Sequence, residues 1–174
     1  AKIAGIKLCE NYRRQYECDF ISAMPTNLYG PNDNYDLNNS HVIPALIKKF
    51  IMAKANEESS VEVWGSGKPL REFMHVDDLA DASLFLMKSY SGIEFVNVGT
   101  GIDLSIADLA FLIKELTGYH GEIVFNSSKP DGTPRKLMDV SKLTAWGWEA
   151  SISLREGLKG VIKDVTETSE HHIK

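Results

Sequence analysis

The sequence is poor in cysteine and has no long apolar run, and these absences exclude several classes of protein. Two cysteines, Cys9 and Cys18, occur among 174 residues, too few for a disulfide framework. No apolar stretch reaches the roughly 18 residues that a membrane-spanning helix requires, and no Cys/His cluster has the spacing of zinc ligands. We therefore expect a protein of the reducing cytoplasm with no metal site and no membrane partner.

Positive charge is also scarce. The chain has 19 Lys and Arg against 24 Asp and Glu, a net charge of -5, and no basic run longer than a pair. Surfaces that bind nucleic acids carry clustered basic residues, so we expect no nucleic-acid partner. The hydrophobic fraction of 43% suits one globular domain with a buried core.

The common nucleotide-binding and catalytic motifs are missing as well. Neither GxGxxG nor GxxxxGK[ST] occurs, although such Gly-rich turns let backbone N–H groups approach a phosphate. The stretches NVGTG and WGSG have two glycines each and, taken alone, indicate turns. GxSxG, HExxH and the EF-hand loop are also absent. Short motifs alone therefore predict only a domain of unspecified function.

Helical and extended patterns alternate along the chain. The first residues already show helical spacing, without a capping side chain, and predict a helix to about Glu17. A strand at 18–25 and a long Pro/Asn/Gly loop at 25–40 follow. We expect Ser40, Asp77 and Ser105 to cap later helices. Further helices are predicted at 41–55, 78–89, 105–118, 141–147 and 153–167, with two strands around a Gly-Ser-Gly turn in 61–76 and strands at 94–101 and 122–126. This alternation predicts an α/β fold.

Four long segments, in matching order, resemble the extended short-chain dehydrogenases/reductases that act on nucleotide sugars. MPTNLYGPNDNY resembles the segment after their active-site helix, and WGSGKPLREFMHVDDLADA resembles their substrate segment. NSHVIPALIKKF and SKPDGTPRKLMDVSKL are similar to a narrower branch, the GDP-4-keto-6-deoxy-mannose 3,5-epimerase/4-reductases. The similarity runs from the first residue to roughly Gly160.

The resemblance implies a fold and a reaction. Family members have a Rossmann domain that binds NADP(H) and a smaller C-terminal α/β domain that binds the sugar nucleotide. Residues 1–30 would be the end of the Rossmann domain. Residues 31–174 would be mainly the substrate-binding domain, with some segments returning to the Rossmann sheet.

The reaction epimerises C3 and C5 of a GDP-sugar and then reduces the C4 ketone with hydride. By analogy, the opening helix would form a homodimer.

The resemblance also assigns catalytic and cofactor-binding residues. Lys2 matches the Lys of a Tyr-x-x-x-Lys helix, whose ammonium helps the phenol to exchange a proton. We expect the Tyr and the Gly-rich turn to precede Ala1, so that these 174 residues alone are inactive. His41 would deliver a proton to a sugar carbon. The implied cofactor-binding residues are Lys2, Pro25, Thr26, Asn27, Leu28 and His41.

Four residues are implied as contacts of the sugar nucleotide. Arg71 would fork onto the diphosphate, and Lys49 would add a point charge. Trp64 would supply a flat apolar wall. Asp131 would accept from ribose hydroxyls or guanine N–H groups, and Lys136 of the same loop would add charge.

Other interpretations stay open at this stage. His75, Asp77 and Asp78 suggest a metal or acid/base site, although a role in starting a helix is the favoured interpretation. The alternatives for the chain are a non-catalytic module that binds a GDP-sugar, and part of a nucleotide-sugar 4-epimerase or 4,6-dehydratase. The two narrower segments favour the epimerase/reductase branch over the last of these.

Overall fold

Helices and short strands alternate through residues 1–37 and 39–171, the part of the chain that the computed structural model describes. The helices are α1 (Lys2–Tyr16), α2 (Val42–Ala55), α3 (Val76–Ser89), α4 (Ile106–Thr117), α5 (Ser141–Ala145) and α6 (Leu154–His171). The strands are β1 (Ala23–Pro25), β2 (Asn27–Tyr29), β3 (Ser60–Trp64), β4 (Leu70–His75), β5 (Val96–Val98), β6 (Asp103–Ser105), β7 (Glu122–Asn126) and β8 (Arg135–Lys136). The predicted α/β class is confirmed.

The strands form three small sheets. β1 pairs with β5 and β3 pairs with β7, both in parallel. β4 is the centre of the third sheet, where β2 runs parallel to its second half while β6 (antiparallel) and β8 (parallel) flank its first half. The two strands predicted around the Gly-Ser-Gly turn are therefore present, but they belong to different sheets. The turn carries the chain from one sheet to the other.

Two apolar clusters hold these layers together. In the larger one, α2, α4 and α6 pack on β3, because their apolar residues recur every three or four positions and share one face. Its fully buried members include Ile47, Phe50, Leu109, Ile113 and Leu158. The smaller cluster joins α3 and α5 to β5 and β4, through Leu86, Val96, Val98, Leu143 and Met74. The larger cluster supports the floor of the cavity described below.

The prediction of a continuous loop at 25–40 was wrong for residues 27–29, because they form strand β2. Asn27, Leu28 and Tyr29 pair with Phe73, Met74 and His75 of β4. Three residues between a proline and a glycine carry too little periodicity to predict a strand. The pairing fixes the start of this loop against the central sheet.

Two of the predicted helix caps were also wrong. The N-cap of α2 is His41, which has extended backbone angles and makes no capping hydrogen bond, and the buried Ser40 hydroxyl has no hydrogen-bond partner within the described residues. The N-cap of α3 is His75, whose Nδ1 accepts from the Asp77 N–H at 3.2 Å. Asp77 therefore lies in the first turn of α3 and does not precede it.

Asp78 lies deep in the protein and does not simply face the dipole of α3. Its carboxylate accepts hydrogen bonds from the Ser151 N–H, the Ser151 hydroxyl and the Ile152 N–H, at 3.0–3.1 Å. A buried carboxylate that is fully hydrogen-bonded fixes its partners firmly. Asp78 thus anchors the segment that leads into α6.

The predicted cap and stop of α4 are confirmed. The Ser105 hydroxyl accepts from the Asp108 N–H at 2.9 Å, and Gly118 ends the helix with a left-handed φ of 65°. Glycine adopts this conformation without the strain that a side chain adds. No helix among residues 1–37 and 39–171 combines the length and apolarity needed to cross a membrane.

Replacing Ser105 with alanine is expected to lower the free energy of unfolding by about 1 kcal/mol, because the Asp108 N–H loses its acceptor. Urea unfolding followed by circular dichroism measures this change. Ser141→Ala is the matched control, since the exposed Ser141 starts α5 without a side-chain cap, and it should change stability by less than about 0.5 kcal/mol. Equal effects of the two substitutions would contradict the capping role.

Candidate functional site

A cavity of about 730 Å³ opens between the β2 strand, the start of α2 and the loops after β3 and β7. It gathers residues that are distant in the sequence. Seven of the predicted site residues line it, namely Thr26, Asn27, Leu28, His41, Trp64, Arg71 and Asp131. The walls also include Ile43, Phe73 and Ile106. An apolar cavity with a few convergent polar groups is the usual form of a small-molecule site.

Arg71 reaches the cavity from β4. Its Nη1 donates to the carbonyl of Leu70 at 2.7 Å, and the guanidinium has no carboxylate partner within the described residues. Gly132 lies against it, since a Cβ at that position would stand 2.7 Å from Nη2. An arginine without a protein counter-charge at a cavity wall is suited to bind an anion.

Asp131 closes the neighbouring part of the cavity. Its carboxylate oxygens accept from the Ser66 N–H at 2.8 Å and from the Ser66 hydroxyl at 2.6 Å. The side-chain and backbone hydrogen bonds of Ser66 lower the pKa of Asp131. A carboxylate has about four acceptor positions, so two donors from Ser66 leave capacity for a ligand. Sequence reasoning missed Ser66, whose only signal was its place in the Gly-Ser-Gly turn.

Trp64 is at the rim of the cavity with 59% of its surface exposed. Two ammonium groups lie near its ring, Lys49 Nζ at 5.3 Å and Lys129 Nζ at 5.2 Å from the centroid. Lys49 also donates to the carbonyl of Glu62 at 2.9 Å. Burial lowers the pKa of Lys49, and the charge of Glu62 acts in the opposite direction. Lys49 is thus near the cavity rim because it lies beside the Trp64 ring. Lys129 is a second lysine at this ring, and sequence reasoning missed it.

Thr26 and Asn27 are held in place by one carbonyl. The Thr26 hydroxyl and the Asn27 side-chain N–H both donate to the backbone oxygen of Glu72, at 3.3 and 2.8 Å. The remaining oxygen of Asn27 accepts from Lys136 Nζ at 3.4 Å. The two side chains are therefore fixed before any ligand enters the cavity.

The Glu72 side chain is fully buried. One of its oxygens accepts from the N–H groups of Thr100 and Gly101 at 2.6 and 2.8 Å. The other oxygen accepts from the N–H of Met138 at 2.8 Å. Glu72 therefore joins three chain segments, which are its own strand β4, the turn at 100–101 and the segment at Met138. Sequence reasoning missed it because a charged residue within a strand normally indicates an exposed position.

Three of the predicted site residues lie outside the cavity lining, namely Lys2, Pro25 and Lys49. Lys2 is exposed at the start of α1, and Pro25 is exposed at the end of β1. The exposed His41 lines the cavity. His75 and Asp78 are buried and hydrogen-bonded to backbone groups, as a structural role requires. No cluster of three or more His, Cys, Asp or Glu that could hold a metal ion occurs within the described part of the chain.

Comparison with curated proteins gives close relatives. The chain is 61% identical over 158 residues to "Putative GDP-L-fucose synthase 2" of Arabidopsis thaliana, a match that covers 91% of this chain and 48% of the relative. It is 54% identical over 167 residues to the GDP-L-fucose synthase of Escherichia coli strain K12, covering 91% of this chain and 52% of the relative. The chain spans about half the length of the curated relatives it matches.

A solved structure and a family model agree with these matches. The NADP-bound GDP-L-fucose synthetase of Naegleria fowleri superimposes with a TM-score of 0.87 at 30% identity, over 97% of this chain and 54% of the other. The model of the NAD dependent epimerase/dehydratase family matches residues 1–99, more than half of the chain. The resemblance noted in the sequence is thereby confirmed, and the chain belongs to the NAD dependent epimerase/dehydratase family.

Proposed function

We propose that the chain is the sugar-nucleotide-binding part of a GDP-L-fucose synthase. Such an enzyme converts GDP-4-keto-6-deoxy-D-mannose to GDP-L-fucose by epimerisation at C3 and C5 and reduction at C4. One observation carries the proposal: a single cavity unites His41, Arg71 and Asp131 with Trp64. His41 and Asp131 come from the segments that resemble the GDP-sugar branch, and Trp64 and Arg71 come from the substrate segment of the wider family.

The substrate end of the cavity would hold the GDP moiety. Arg71 has no protein counter-charge within the described residues and would take the diphosphate. The exposed Trp64 ring would lie beside the nucleoside, with Lys49 supplying charge behind it. Asp131, fixed by Ser66, would accept from a ribose hydroxyl or a guanine N–H. Lys136 would contribute further charge near Asn27.

The other end of the cavity would meet the cofactor. NADPH would supply the hydride that reduces C4. The fixed side chains of Thr26 and Asn27 offer polar atoms with a defined orientation, and Leu28 offers an apolar contact, which suits a nicotinamide ring and its carboxamide. His41 would hold or deliver the proton at a sugar carbon. Lys2 and Pro25 would join this end of the site, and Lys2 would act with the Tyr expected one turn earlier.

A chimera tests this function. The chain is joined at Ala1 to the N-terminal half of the Escherichia coli relative, and NADPH oxidation and product formation are measured with GDP-4-keto-6-deoxy-D-mannose. We expect GDP-L-fucose as the product, and we expect His41→Gln to lower the rate by about 100-fold, the usual contribution of a general acid or base. His120→Gln, an exposed histidine after α4, is the control. A folded chimera that leaves NADPH unoxidised would contradict the proposal.

A second candidate function is a non-catalytic one, in which these residues bind a GDP-sugar without turnover. The observation that favours it is that the cavity holds Trp64, Arg71 and Asp131 while Lys2 lies outside the lining. The chain without the added half should then bind GDP in a calorimeter, and the chimera should show binding but no NADPH oxidation.

The partner, the location and the division into domains are part of the same proposal. α1 has no buried residue and exposes Ile3, Leu8 and Tyr16, which suits contact with a second copy in a homodimer. Light scattering on the wild-type chimera and its Leu8→Glu variant tests this contact.

The free thiols of Cys9 and Cys18 fit a cytoplasmic protein, which cell fractionation tests.

Residues 1–30 would be the end of the NADP-binding Rossmann domain, and 31–174 would mainly form the substrate-binding domain. The parallel pairing of β1 with β5, a strand that contributes to the smaller apolar cluster, supports the return of a later segment to the Rossmann sheet. Limited proteolysis of the chimera with and without NADPH tests the division, since cofactor should protect the first part and the segment around β5.

A further inference from the structure

Two lysines contact the Trp64 ring, but their ammonium groups differ in how firmly they are held. Lys49 is half-buried, and its Nζ donates to the carbonyl of Glu62 at 2.9 Å. Lys129 is exposed, and its Nζ makes no hydrogen bond or ion pair with the described residues. Its Nζ lies 5.2 Å from the centroid of the indole ring. The ammonium of Lys129 is therefore free to leave the ring.

The backbone of Lys129, in contrast, is fixed beside the cavity. The carbonyl of Asn126 accepts from both the Gly65 N–H at 2.9 Å and the Lys129 N–H at 3.1 Å. The side-chain oxygen of Asn126 accepts from the Ser128 N–H at 3.0 Å. Because these bonds link the end of β7 to the end of β3, the side chain of Lys129 starts from a defined point next to Trp64.

The segment after Lys129 follows the cavity wall. Pro130, Asp131 and Gly132 line the cavity, and Gly132 packs against the guanidinium of Arg71. One short segment thus extends from the indole to the arginine. Because Lys129 is three residues before Gly132, an anion bound at Arg71 would be close to its flexible side chain.

We propose that Lys129 is a further substrate-binding residue of this site, whose ammonium moves from the Trp64 ring to a diphosphate oxygen when the nucleotide binds. The proposal rests on the GDP-sugar function proposed above. The exchange is favourable because a cation–π contact at an exposed site is weak, whereas an ammonium–phosphate contact is a charge-assisted hydrogen bond. Departure of the ammonium also uncovers the indole for the nucleoside.

The test compares GDP with guanosine, which lacks the diphosphate, by calorimetry on the chain and on the chimera. We expect Lys129→Met to weaken GDP binding about 10-fold at low salt and less at high salt, because ions screen an exposed charge. Guanosine binding should stay within about twofold of wild type, and Lys129→Arg should restore most of the affinity for GDP. Lys159→Met is the matched control, since Lys159 is an exposed lysine of α6 that does not line the cavity.

Two results would overturn the role of Lys129. Unchanged GDP affinity in Lys129→Met would exclude a phosphate contact, and equal losses for GDP and guanosine would show that the lysine acts only through the indole. Failure of the proposed function is distinguishable from both, because the wild-type protein would then bind neither ligand. That result would overturn the proposal for Lys129 as well.

Discussion

Replacing Arg71 with alanine is expected to weaken GDP binding by about 100-fold, or close to 3 kcal/mol. The guanidinium lies at the cavity wall with no carboxylate partner in the described part of the chain, so its charge is available to the ligand. Removing it would leave a desolvated diphosphate without its planar, forked donor. Isothermal calorimetry with GDP measures the change in the chain and in the chimera.

The controls for Arg71 separate charge from geometry. Arg71→Lys keeps the charge but loses the fork, and we expect an intermediate loss of about 10-fold. Arg155→Ala removes an exposed arginine that pairs with Glu115 on the surface, and it should leave GDP binding unchanged. A wild-type affinity in a folded Arg71→Ala protein would remove Arg71 from the site.

Glu72→Gln is expected to produce the largest loss of stability, about 3 kcal/mol in the free energy of unfolding. The carboxylate is fully buried and accepts from the N–H groups of Thr100, Gly101 and Met138. The amide of glutamine has one acceptor oxygen, and its NH₂ group would face an N–H donor. At least one buried donor then lacks a partner.

Urea unfolding followed by circular dichroism measures this change. The exposed Glu149 provides the matched control, and Glu149→Gln should shift the unfolding free energy by less than about 0.5 kcal/mol. A comparably small shift for Glu72→Gln would show that the three chain segments hold together without the carboxylate.

Long periodic segments were predictable from the sequence, and short ones were not. α4 is twelve residues long with a serine before it and a glycine after it, and both ends were predicted correctly. β2, β6 and β8 have two or three residues each, and their existence depends on β4 lying beside them. A strand defined by its neighbour carries little signal of its own.

The caps show a similar limit. Ser40 and Asp77 are residue types that commonly cap helices, yet His41 and His75 occupy the N-cap positions. Residue type alone cannot show which of two adjacent residues is the N-cap, because the N-cap is defined by where the backbone leaves its extended conformation.

For the site, resemblance identified residues that periodicity could not. Trp64, Arg71 and Asp131 were predicted to share a site and do line one cavity. Ser66, Glu72 and Lys129 were missed because each acts on a residue far away in the sequence or across a sheet. Single-sequence reasoning has no access to such pairings.

The position of Trp64 has a practical consequence. Of the three tryptophans, Trp148 is buried and donates to Asp81, and Trp146 stacks on Tyr90 at 4.9 Å. Trp64 alone among them lies at the cavity rim with two ammonium groups near its ring. Its fluorescence should therefore respond to whatever enters the cavity, while the other two indoles give a steady background. The chain thus carries an intrinsic optical probe, and candidate sugar nucleotides can be screened without labelling either molecule.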